Sequence, residues 1–350
     1  MKKVFLTDLS LVELENICQE WGFEKYRAQQ ILHGIYQEFQ AELGGIKNIP
    51  GKLLQLLSER TDIHDLEVAE RASSPHDQSV KYLYRLSDRE FVESVWMPQK
   101  GFRTICLSTQ VGCPLKCVFC ASGQVKFQRN LEPHEIVGQV LFIVQDQPDH
   151  QAPSHIVFMG MGEPLLNFEN LLKTVRILKE PWGFGIGARR ITISTAGYIP
   201  GILKWAEADQ EFHQVRLSIS LHSTQDDARS RIMPINRQYP LSELKKALET
   251  YHEKTGRRVT LEYLILKNIN DSDQNARDLR DWVQDIAHSV NVIEYNEVDG
   301  TGLERSPRGE AFVEKLLELG IRATYRRSKG RDIEAACGQL RSKFVHEHVA

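Results

Sequence analysis

Up to about residue 65, apolar residues recur at helical spacing. Leu11, Leu14, Ile17 and Trp21 mark a first helix. Ser10-Leu11-Val12-Glu13 gives it a capping box, the serine oxygen taking a backbone N–H and the glutamate reaching back. Ile31, Leu32, Ile35, Tyr36 and Phe39 mark a second helix over Tyr26–Phe39. Ile49-Pro50-Gly51 is a turn, since Pro50 bars a helix from passing through it. Leu53, Leu54, Leu56 and Leu57 begin a third helix. Cys18, beside Ile17, reads as a small core residue. At Leu66 the pattern changes. Val80–Leu86 and Phe91–Pro98 are rich in β-branched and aromatic residues and are joined by Ser87-Asp88-Arg89, which predicts a hairpin.

From Arg103 onward, strands and helices alternate. Strands are predicted over Arg103–Thr109, His155–Met159, Arg190–Ser194, Val215–Leu221, Val259–Leu266, Val290–Tyr295 and Ile321–Tyr325. Helices between them cover Glu135–Val144, Leu171–Leu178, Ile202–Ala208, Leu241–His252, Ala276–Ile286 and Phe312–Leu319. Such alternation means parallel strands with right-handed crossovers. Six β/α units suit an α/β fold of the open, partial-barrel kind, with active residues at the C-terminal strand ends. The chain thus divides into a helical piece (1–65), a β-hairpin extension (66–98) and a β/α core (99–350).

Composition narrows the function. The 350 residues are 41% hydrophobic and 26% charged, which excludes disorder as the main state. With 44 basic and 47 acidic residues, bulk charge does not announce a nucleic-acid binder, although a local basic excess would suffice. No apolar run reaches the ~18 residues of a membrane span. Asp8 interrupts the short apolar start well before a signal peptide's core is complete, so a cytoplasmic protein is expected.

Cysteine placement is more specific. Cys106, Cys113, Cys117 and Cys120 cluster, while Cys18 and Cys337 stand apart. Cys113-Pro114-Leu115-Lys116-Cys117-Val118-Phe119-Cys120 is a C-x3-C-x2-C triplet at the end of the first predicted parallel strand. Three thiolates can hold three irons of a cubane and leave the fourth open to chelate amino and carboxylate groups. The alternative is a four-ligand zinc site, with Cys106, His134 or His155 completing the set. Gly162 and Glu163 follow the second parallel strand, where glycines allow close backbone approach and a carboxylate can accept from an ammonium group. Ser194 ends the third strand, Ser220 and His222 the fourth, and Asn296 follows the sixth.

The triplet, with Phe119 before its last cysteine, resembles the signature of the radical S-adenosylmethionine (SAM) superfamily. Ser108-Thr109-Gln110-Val111-Gly112-Cys113, Gly160-Met161-Gly162-Glu163-Pro164-Leu165, Ser220-Leu221-His222 and Ala335-Ala336-Cys337-Gly338-Gln339-Leu340 resemble the RlmN/Cfr family of RNA adenosine methyltransferases. The likeness runs from about residue 5 to residue 342. It implies a 4Fe–4S cluster on Cys113, Cys117 and Cys120, and SAM held by Gly162, Glu163, Ser194, Ser220, Leu221, His222 and Asn296. It implies that Cys337 carries a methyl taken from one SAM and that a second SAM supplies the radical that activates it. Adenine C2 and C8 are electron-poor, so the carbon must arrive as a radical. Cys106 matches the position that frees the product by forming a disulfide, and Glu93 an acidic position assigned to proton transfer.

The resemblance further implies 23S rRNA and tRNA as substrates, methylated at adenosine C2, with C8 methylation as the near alternative. It implies a low-potential electron donor such as flavodoxin or ferredoxin, and a monomer without membrane attachment. Arg322, Arg326, Arg327, Lys329 and Arg331 crowd upstream of Cys337, and Arg189, Arg190, Lys126 and Arg129 add basic charge where RNA phosphates could pass. Two other readings remain. A radical-SAM enzyme acting on a peptide or small molecule has no use for Cys106 and Cys337. A zinc-stabilised RNA-binding protein would be colourless and leave SAM intact.

Overall fold

The computed structural model describes residues 3–148, 150 and 152–341. Its centre is a ten-stranded sheet whose spatial order follows chain order. The strands are β1 (Glu67–Ser73), β2 (Val80–Arg85), β3 (Phe91–Gln99), β4 (Phe102–Cys106), β5 (His155–Phe158), β6 (Ile191–Thr195), β7 (Arg216–Ser220), β8 (Val259–Ile265), β9 (His288–Glu294) and β10 (Ala323–Arg326). β1 to β4 pair antiparallel; β4 to β10 pair parallel. The edge strands β1 and β10 do not meet, so the sheet stays open, as six β/α units predict.

Alternation along β8 shows what shapes the fold. Val259, Leu261, Tyr263 and Ile265 are buried against helices, while Glu262 and Leu264 border the cavity on the concave face. The covering helices are α4 (Pro133–Asp146), α5 (Phe168–Lys179), α6 (Ile199–Glu207), α7 (Asp226–Ile232), α8 (Leu241–Thr255), α9 (Asp273–Trp282) and α10 (Gly309–Glu318). The N-terminal segment adds three helices, α1 (Leu11–Glu20), α2 (Tyr26–Tyr36) and α3 (Gly51–Arg60), and the first starts with the Ser10/Glu13 capping box. The second ends before Phe39, which takes a left-handed φ of 55°.

Sequence periodicity missed two of the elements named above. β1 is exposed along almost its whole length, so it shows no apolar alternation; its charges and a bulge between Val68 and Glu70 suit an edge strand. Helix α7 is short and mostly charged.

Candidate active site

The loop after β4 is bracketed by glycines that nothing larger could replace. A Cβ at Gly112 would lie 2.3 Å from the Lys126 carbonyl oxygen, and one at Gly123 would lie 2.7 Å from that of Cys117. Lys116 takes a left-handed φ of 52°, and the Cys120 N–H donates to the Cys117 carbonyl. Leu115, Cys117 and Phe119 border the cavity, whereas Lys116 and Val118 are exposed. Cys113, Cys117 and Cys120 all line the same cavity of about 260 Å³ at the C-terminal ends of the parallel strands.

Burial pushes the Cys113 thiol up to about 12, and burial, with the neighbouring Cys120 and Cys113, also raises Cys117 well above the usual thiol range. Three such thiols become thiolates together only beside a strong positive centre, and an all-sulfur set suits iron–sulfur chemistry. Of the alternative zinc ligands, Cys106 borders this cavity, whereas the two histidines lie elsewhere. His134 is held between Asp8 and Asp65, and His155 starts β5, at the end of the sheet away from the cavity. The residues therefore fit a three-thiolate cluster site.

The loop after β5 is just as constrained. Gly162 has φ 104°, and a Cβ there would meet Gln110 at 2.6 Å; one at Gly160 would meet the Leu107 carbonyl at 2.7 Å. Glu163 borders the cavity and is buried. Its carboxylate accepts from the backbone N–H groups of Ala196 (2.8 Å) and Leu165 (3.2 Å). Burial raises its pKa to about 7 against these bonds. It thus caps a short turn and faces the cofactor cavity at once.

Ser194, Ser220 and His222 also border the cavity. His222 has φ 57°, its Nδ1 accepts from the Leu264 N–H, and its ring meets Phe119 edge-on. Burial and nearby Arg229 push its pKa down to about 3, so the ring is neutral. Leu221 points into the core; its N–H donates to the Glu262 carbonyl. Asn296 lies behind the cavity wall, where its Nδ2 donates to Ser328 Oγ (2.7 Å) and the Cys337 carbonyl (3.1 Å).

Cys106 and Cys337, remote in sequence, line this same cavity. All six cysteines are free thiols. Burial, then the neighbouring Cys337, pushes Cys106 up to about 12. Cys337 is accessible through the cavity yet walled by protein; that enclosure, with Cys120 and Glu262, raises it to about 11 while Arg326 opposes. Glu93 is buried on β3, paired with Lys81 at 3.3 Å, with Oε2 unbonded and its pKa raised to about 7 by burial. The backbone N–H of Arg341 bonds it, linking it to the segment that carries Cys337.

Sequence reasoning missed Glu262, whose Oε1 accepts from Ser218 (2.6 Å) and Asn291 (3.1 Å) while the buried Oε2 has no partner among the described residues. A lone carboxylate at an inward position of an apolar strand was the available signal. Of the basic residues, Arg326, Arg327 and Lys329 border the cavity. Arg129 is committed to Asp88 and Glu135, and Arg189 and Arg190 stand just before β6, at the opposite end of the sheet.

Residues 107–279 match the Radical SAM superfamily. A radical SAM methyltransferase from Sphaerobacter thermophilus has the same fold, with a TM-score of 0.92 and 39% identity, over 97% of this chain and 99% of that one. Fold and site define a radical SAM enzyme, which uses a 4Fe–4S cluster and SAM. The probable dual-specificity RNA methyltransferase RlmN of Dictyoglomus turgidum is 42% identical over 336 residues, 95% of each chain. That of Pseudothermotoga lettingae is 42% identical over 325 residues, 92% of this chain and 93% of its own. The chain belongs to the RlmN family of radical SAM RNA methyltransferases.

Proposed function

We propose that the enzyme methylates C2 of an adenosine in 23S rRNA, and in tRNA next to the anticodon, through a methyl-cysteine at Cys337, consuming two SAM per methylation. The observation that carries this reading is the meeting of Cys337 and Cys106 with the three cluster cysteines in one cavity. A radical enzyme acting on a peptide or small molecule has no need of those two extra thiols.

When bound, the cluster and SAM supply a 5′-deoxyadenosyl radical by one-electron cleavage of the sulfonium. Cys337, as thiolate, first takes a methyl from one SAM. Its S-methyl then loses a hydrogen atom to the radical, and the resulting carbon radical adds to the base; the adduct would give up one electron, for which the oxidised cluster would be the acceptor, and its ring hydrogen would leave as a proton. Cys106, as thiolate, attacks the Cys337 sulfur. The S–S bond forms, the sulfur–carbon bond breaks, and its electron pair goes to carbon, which takes a proton. An external dithiol reduces the disulfide for the next cycle. Glu93, close to neutrality in pKa, serves as the proton carrier near the base. Glu163 meets the SAM ammonium, Ser194, Ser220 and His222 face its remaining polar groups, and the backbone of Leu221 orders that rim. Asn296 completes the SAM set from behind and fixes the Cys337 loop. A low-potential carrier such as flavodoxin or ferredoxin delivers the electron, and the enzyme works as a monomer.

The test uses protein purified without oxygen. Peptide mass analysis should find an S-methyl on Cys337. Cys337→Ala should abolish RNA methylation, and Cys106→Ala should accumulate a covalent RNA–protein adduct. RNA methylation by Cys337→Ala would overturn the reading. Nucleoside analysis showing 8-methyladenosine would replace C2 by C8.

A further inference from the structure

Arg229, in α7, is 1% exposed and has no carboxylate partner among the described residues. Its Nε donates to the Leu221 carbonyl (3.0 Å), Nη2 to the carbonyls of Ala196 and Ser220 (both 2.9 Å), and Nη1 to Asn236 Oδ1 (2.8 Å). All four acceptors are neutral dipoles. A buried cation held only by dipoles is costly, and a fold usually pairs it with an anion. An acidic neighbour whose charge reaches it, Asp226, sits at the exposed start of α7 and accepts instead from Asn236 Nδ2 and the Leu241 N–H.

The anion is therefore to be sought in the cavity. Ala196 and Ser220 lie at the ends of β6 and β7, on the cavity rim. Helix α7 also grips the cluster loop, because the Val118 N–H, next to Cys117, donates to the Ile232 carbonyl at 2.9 Å. Met233, which follows α7, lines the cavity. The guanidinium's hydrogen bonds are already directed to protein carbonyls and an amide, so it acts on the cavity by its field rather than by contact. In a low-dielectric interior that field is weakly screened.

We propose that Arg229 is a positioning residue that serves as fixed counter-charge to the cluster held by Cys113, Cys117 and Cys120, and that it raises the cluster's reduction potential. Three thiolates make the site electronegative, and reduction adds one further negative charge. A nearby buried cation favours the reduced form, since net charge is among the determinants of cluster potential. The incoming electron is thereby easier to accept before SAM is cleaved. This inference rests on the three cysteines being cluster ligands.

The test is an EPR-monitored redox titration, without SAM, of the full chain loaded with iron and sulfide under anaerobic conditions. Arg229→Met should shift the reduction equilibrium at least tenfold toward the oxidised cluster, which is 59 mV for a one-electron couple. Arg229→Lys keeps the charge and should stay within about threefold of the parent. Asn236→Asp leaves the guanidinium in place and sets a carboxylate against Nη1; it should shift the equilibrium in the same direction as Arg229→Met. This second variant decides the matter if Arg229→Met does not fold. Unchanged potentials in the folded variants, or a loss in Arg229→Lys as large as in Arg229→Met, would overturn the counter-charge role alone. A parent protein that takes up no 4Fe–4S cluster would overturn the ligand assignment and this inference together.

Discussion

Glu163 bonds two backbone N–H groups, yet its carboxyl titrates near pH 7 because it is buried. A raised carboxyl pKa means the neutral form dominates below that pH, and a neutral acid cannot pair with an ammonium group. SAM affinity, measured by equilibrium dialysis, should therefore fall as pH drops from 7 to 5.5. Glu163→Gln should bind SAM about 10- to 100-fold more weakly, the loss of one charged hydrogen bond worth ~1.5–3 kcal/mol, and should lack that pH dependence. Residue types and spacing were enough to point to this glutamate. They could not separate Ser220, which faces the cavity, from Leu221, which faces the core, because which face is concave depends on the curl of the whole sheet. Glu262 and Arg229 escaped for a related reason: each sits alone in its segment, and only tertiary packing shows that, among the described residues, one keeps an unbonded oxygen and the other no counter-ion.

At the level of elements, His134 joins the N-terminal segment to the core. It occupies the first turn of α4, stacks on Phe5 at 3.8 Å and pairs with the carboxylates of Asp8 (3.0 Å) and Asp65 (3.2 Å). Burial alone would lower its pKa, but the two carboxylates lift it to about 9. Its contribution to stability is thus complete below pH 6.5 and lost as pH rises through 9. Thermal melts should show a falling Tm across that window, and His134→Ala should flatten the fall while costing about 1–3 kcal/mol at pH 6.5. The Cys337 loop offers a second test. Asn296→Ala leaves the Cys337 carbonyl without its side-chain donor; S-methylation of Cys337 should slow about tenfold, followed by intact mass. Capping boxes and strand–helix alternation made most elements legible. Helix α7 was not, because its seven residues carry too few apolar positions to display a period, and β1 was not, because an edge strand buries almost nothing.

For the molecule as a whole, the succession of parallel strands in chain order was readable because each β/α unit packs on the one before it. Which charges are available to RNA was not, since that depends on pairing. Arg129 is tied to two carboxylates, whereas Arg326 borders the cavity. Arg326→Gln should reduce the slope of log affinity against log salt by about 0.7–0.9, as loss of one phosphate contact does, whereas Arg190→Gln should leave it unchanged. Filter binding at several salt concentrations would check both.

The segment bearing Cys337 is fastened to the cluster loop: the Ala121 N–H donates to the Gly338 carbonyl at 2.7 Å, and Ser122 Oγ to the Leu340 carbonyl at 2.6 Å. The proposed radical source and the proposed methyl carrier thus hang from one short stretch of chain. Oxidative loss of the cluster should therefore also loosen the segment that bears Cys337. Trypsin should then nick the oxidised protein near Arg331 sooner than it nicks the intact holoenzyme.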